Sequence, residues 1–97
     1  MFVAVCRIEV HIPAASSLKD KRRVLQSAMT RVRNEYRVSI AEVGAQAQWD
    51  LAVIGMAAVS NEASHARAVL ERAVRFLETT RLDAEVGAVH FEVLQAL

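Results

Sequence analysis

The densest chemistry-bearing stretch of the chain is Ser17-Leu18-Lys19-Asp20-Lys21-Arg22-Arg23. From Lys19 to Arg37 seven cations (Lys19, Lys21, Arg22, Arg23, Arg31, Arg33 and Arg37) stand against Asp20 and Glu35, a net charge of +5. The whole chain carries only +1, so everything outside the segment sums to −4. A hydroxyl, the free amides of a helix start and adjacent cations are what an anion such as phosphate requires. Ser17, Lys19, Lys21, Arg22, Arg23 and Arg33 are therefore the candidate anion- or RNA-binding residues. Arg31 and Arg37 would extend the track. The same run also reads as ordinary helix capping beside a solvated face, because runs of charge are common on surfaces.

Other reactive side chains form no recognisable constellation. His11, His65 and His90 keep no ligand spacing with one another or with Cys6, so no metal site and no cofactor is expected. His11 and His90 fall on strands expected to be neighbours and would share a sheet face with Arg7, Glu9 and Glu92. That cluster reads either as rim ion pairs or as a small-ligand site at a subunit interface. Cys6 alternates with core residues and reads as an unreactive apolar filler. With no nucleophile–base pair and no paired carboxylates, no catalytic residue is proposed and an enzyme is not expected. Among the aromatics, Phe2, Tyr36, Phe76 and Phe91 mostly lie on apolar stripes, so a stacking platform on the sheet is not expected. Trp49 sits in a polar stretch beside Asp50 and reads as a lid over the core edge or as an interface anchor.

The elements that must position these residues follow from periodicity. Phe2 to Ile12 alternates, with Phe2, Ala4, Cys6, Ile8, Val10 and Ile12 on one side, which predicts a strand with one buried face ended by Pro13. Ser17 and Asp20 fit a capping pattern, and Leu18, Leu25, Ala28, Met29, Val32 and Tyr36 form a helical stripe. Lys21 lies at the edge of that stripe and is expected to snorkel to solvent. Val38–Val43 is a short strand, Gly44–Asp50 a hairpin connection, and Leu51–Val59 a strand apolar on both faces. A second helix starts at a Ser60 or Asn61 cap with Glu62 at its positive end, buries Ala63, Ala66, Leu70, Ala73, Val74 and Leu77, and frays at Thr79 and Thr80. A last strand runs from about Ala84 to Val93.

Ninety-seven residues make a single domain, 1–97. The order strand–helix–strand–strand–helix–strand predicts an α+β ferredoxin-like sandwich: a four-stranded antiparallel sheet with both helices on one face and the first and third strands central. The other sheet face is then left bare although 54% of the chain is hydrophobic. A homodimer is expected through Val3, Val5, Ile54, Met56 and Trp49. The N-terminal apolar run is too short to span a membrane and lacks the features of a signal peptide, and the lone cysteine gives no reason for an oxidising compartment. A soluble cytoplasmic protein is expected.

The segments Ser17–Arg23, Val38-Ser39-Ile40-Ala41-Glu42-Val43, Trp49 and Val59-Ser60-Asn61, in this order, resemble the YlxP-like family of small bacterial proteins of unknown function. The resemblance covers nearly the whole chain and implies a ferredoxin-like fold. Genes of that family tend to lie among those for translation initiation and ribosome maturation, which implies a role near the ribosome or its RNA. It supplies no activity, cofactor or catalytic residue. The function expected is that of a non-enzymatic accessory protein contacting ribosomal RNA or a ribosome-associated protein through its basic first helix. The alternative is a small-ligand-binding or regulatory homodimer.

Overall fold

A period-two strand, a helix and a half-apolar hairpin can bury their faces together only as layers, and that is the arrangement found. The computed structural model describes residues 1–80 and 83–97. The elements are β1 (Phe2–His11), α1 (Leu18–Glu35), β2 (Ser39–Gly44), β3 (Leu51–Ser60), α2 (Ala63–Thr79) and β4 (Glu85–Gln95). The strands form one antiparallel sheet in the order β2-β3-β1-β4, with both helices against one face. This is the ferredoxin-like sandwich that the element order predicts.

The core follows the alternation of β1: Ala4, Cys6, Ile8 and Val10 are buried under Leu25, Ala28 and Val32 of α1 and Ala66, Leu70, Ala73, Val74 and Leu77 of α2. Register then decides β3, whose sequence is apolar on both faces. Cys6 pairs with Met56 and Ile8 with Ile54, and paired residues share a face. Ile54 (1% exposed) and Met56 (2%) therefore point into the helix-covered core. They cannot belong to an interface on the bare face, which corrects the expected set. The outward residues of β3 are Val53, Gly55, Ala57 and Val59.

Two local expectations also change. The cap residue of α2 is Glu62, which makes no side-chain cap bond, while the Ser60 hydroxyl accepts the Glu62 amide in the turn before the helix. Asn61 takes no cap role. In the first turn of α1 the buried position belongs to Lys21, not Leu18, which is exposed. The buried stripe is Lys21, Leu25, Ala28 and Val32, spaced i, i+4, i+7 and i+11.

Candidate functional site

The N-terminal turn of α1 is satisfied from within. The Ser17 hydroxyl accepts the Asp20 amide at 3.1 Å, and Asp20 Oδ2 accepts the Ser16 amide and hydroxyl at 3.2 and 3.0 Å. Those bonds from Ser16 hold the Asp20 carboxyl below its ordinary value of 3.8, with smaller help from Ser17 and Arg23. The carboxylate already occupies the positive end of the helix, where an external phosphate would otherwise bind. Ser17 is thus a cap residue.

Lys21 is withdrawn as well. It is 2% exposed, and its ammonium donates to the carbonyls of Ala45 at 2.7 Å and Gln48 at 2.6 Å. Glu42 Oε2 lies 2.7 Å away as an ion pair; that buried oxygen accepts no well-aligned hydrogen bond, so the contact is chiefly coulombic. Glu42 faces the helices because it alternates with buried Ile40 and pairs with Ile54. The expectation that Lys21 reaches solvent and binds an external anion is corrected: two carbonyls and a carboxylate already consume it. A charged group at that depth persists only with such partners.

What remains of the basic track is exposed. Lys19, Arg22, Arg23, Arg31 and Arg37 form no ion pair among the described residues, where the pairs are Lys21–Glu42 and Arg67–Glu71. Arg33 is exposed too, but one guanidinium nitrogen donates to the Ile40 carbonyl on edge strand β2 at 3.0 Å. It shields an edge that would otherwise offer an unpaired acceptor.

Sequence reasoning treated Trp49 separately from this helix, and the structure brings the two together. The connection 45–50 closes on itself through Gln48 N to Ala45 O, with Ala45 in the left-handed region at φ 58°. The Lys21 ammonium grips the carbonyl of Gln48, and the Ile12 amide donates to Asp50 O at 2.8 Å. Trp49 is thereby tied on both flanks while its side chain stays 52% exposed. Arg22 and Gln46 border a common small depression beside the Lys21–Glu42 pair.

The bare sheet face carries Val3 and Val5 as expected, together with Val53, Ala57, Val59 and Leu94; Val59 is 65% exposed. Across its middle, Gly55, Arg7 and His90 stand side by side, and Glu92 follows beside Val5. A shallow hollow of about 330 Å³ opens over Gly55. A Cβ at Gly55 would lie 3.0 Å from Val43 Cγ1, so glycine is what lets the bulged β2 edge lean over the sheet. His11 pairs with Glu85, four residues along β1 from Arg7, so the two histidines do not meet in one site. No group of three potential metal ligands occurs among the described residues. Burial pushes the Cys6 thiol up to about 11, in keeping with an unreactive filler.

Residues 3–91 match the family described as "Protein of unknown function (DUF503)". The chain belongs to that family. It is 38% identical over 77 residues to the "Uncharacterized protein YlxP" of Bacillus subtilis (strain 168), a match spanning 79% of this chain and 84% of that protein. No helix among the described residues is long and apolar enough to cross a membrane.

Proposed function

We propose that this DUF503-family protein is a non-catalytic accessory module that contacts RNA phosphates through the exposed cations of α1. It self-associates through its bare sheet face. The observation that carries the reading is the set Lys19, Arg22, Arg23 and Arg31 on α1, with Arg37 just past its end, all exposed and without ion-pair partners among the described residues. Unneutralised cations on one helix are suited to displacing counterions from a phosphate backbone. The family's implied association with translation genes points to ribosomal RNA as the polyanion. A titration with structured ribosomal RNA should give an affinity that falls steeply with salt. Arg22→Glu with Arg23→Glu should weaken it at every salt concentration. Affinity independent of salt, or untouched by that reversal, would overturn the assignment.

The self-association surface is Val3, Val5, Ala57, Val59 and Leu94, with Ile54 and Met56 removed from it. Four strands about 4.8 Å apart and up to about 33 Å long present roughly 600 Å² in projection. Two copies would bury on the order of 1,200 Å², the lower bound for a stable interface. The bare face and α1 lie on opposite sides of the sheet, so self-pairing leaves both basic helices outward.

A second reading is favoured by the hollow over Gly55, where Arg7, His90 and Glu92 line a concavity that a second copy would roof. It is a small-ligand or regulatory dimer. A ligand-dependent rise in melting temperature that is lost in His90→Ala would support it.

A further inference from the structure

We propose that Trp49 and the adjacent first turn of α1 form a binding corner for single-stranded RNA, with Trp49 as a base-stacking platform and Arg22, which borders the same depression as the loop, as the phosphate contact. The inference deepens the α1 reading above by naming the class of RNA. An exposed tryptophan in a polar loop ordinarily gains by folding onto apolar surface. Here the backbone on either side is fixed: Gln48 by the buried Lys21 ammonium, Asp50 by the Ile12 amide. Trp49 is consequently presented to solvent by a loop whose ordering entropy is already spent in the free protein, the condition under which a contact contributes most to affinity.

Chemistry selects the partner. Cations alone accept any polyanion, and an apolar surface alone accepts a protein; an aromatic face beside exposed cations matches a splayed base linked to phosphates. Lys21 joins the two halves physically, because it stands next in sequence to Arg22 and holds the carbonyl of the residue before Trp49. Duplex RNA keeps its bases stacked and can use only the cations. Asp50 stands next to Trp49, so the corner is not uniformly positive. That disfavours a purely electrostatic grip and leaves stacking to discriminate.

Trp49 is the single tryptophan of the chain, so its emission reports on this corner alone. The full-length protein is titrated with an unstructured RNA 12-mer and with a duplex of the same length. The single strand should quench Trp49 emission and bind more tightly. Trp49→Ala should weaken single-strand binding about ten-fold while duplex binding changes less than about two-fold, and Trp49→Phe should restore most of the loss. Circular dichroism melts of both variants verify the fold. Arg22→Glu with Arg23→Glu should weaken both RNAs. If that reversal weakens binding but Trp49→Ala does not, the corner is refuted and the α1 reading stands. If neither RNA binds, both fail. Emission that responds only to protein concentration makes Trp49 a self-association contact and overturns the proposal.

Discussion

Replacing Lys21 with methionine keeps the aliphatic stem that crosses the edge of the core but deletes the ammonium. Two carbonyls then lose their donor and Glu42 loses its counter-charge. Removing one partner of a buried ion pair costs about 3–5 kcal/mol, mainly because the other charge is left stranded. The Glu42 side chain keeps 24% of its exposure, and Ala45 and Gln48 lie in a surface connection. The stranded groups lie close to solvent, although Glu42 Oε2 itself is buried, so the low end applies, about 3 kcal/mol. In a domain of this size that corresponds to a fall in Tm of roughly 12–24 °C.

Thermal unfolding followed by far-ultraviolet circular dichroism measures this directly. A double-mutant cycle with Glu42→Leu separates stranded charge from lost packing: Lys21→Met with Glu42→Leu should regain at least half the loss, since no charge is then left unpaired. A cost below about 1 kcal/mol would place the pair with exposed salt bridges and refute its description as a buried latch. Failure of the double variant to recover would show that packing dominates.

Three further outcomes follow from the same geometry. Asp20 has its carboxyl pKa lowered by the Ser16 bonds, so its contribution is present above the unfolded value near 3.8 and is lost as pH falls through the folded value. The Tm gap between the wild type and Asp20→Asn should therefore be open at pH 7 and close under strong acid; a gap constant with pH would contradict the capping role. Cys6, buried with its thiol pushed up to about 11, should resist a thiol-reactive dye at pH 8 and label promptly in denaturant, so rapid native labelling would contradict its placement. Val59→Lys should leave stability within about 1 kcal/mol of wild type while reducing self-association in light scattering, whereas Met56→Lys, which buries an unpaired charge, should unfold the domain. Equal tolerance of the two would invalidate the face assignment.

The strength of the local patterns explains how much the sequence conveys. Ten alternating residues leave β1 one possible core face, and the caps and stripes of the helices limit them to two crossovers, so the sandwich follows. β3 carries no such preference, because both of its alternating sets are apolar. Its orientation comes from pairing with β1, where a shift of one residue would put Met56 in place of Gly55 at the bare face. Lys21 and Glu42 were legible in principle: one falls on the spacing of Leu25, Ala28 and Val32, the other on the alternation of Ile40. Each looks like an error in its own element and makes sense only when the two are seen to meet. Trp49 gave no local signal of its surroundings, since its tethers come from residues 12 and 21.

The buried latch also changes how the charge of α1 should be counted. The +5 of the Lys19–Arg37 segment overstates its reach: Lys21 is neutralised by Glu42 from outside the segment, and Arg33 spends part of its guanidinium on the β2 edge. Asp20, held ionised in its own cap by Ser16, subtracts a charge from the first turn. What faces solvent is a shorter run, Lys19, Arg22 and Arg23, of which Arg22 borders the loop that carries Trp49, with Arg31 and Arg37 farther along. Such a surface offers few phosphate contacts, so charge alone would give the proposed interaction little selectivity. That is the physical reason to look for stacking at the corner. It is also why salt dependence alone, the usual signature of phosphate contact, would describe only half of the interaction proposed for this protein.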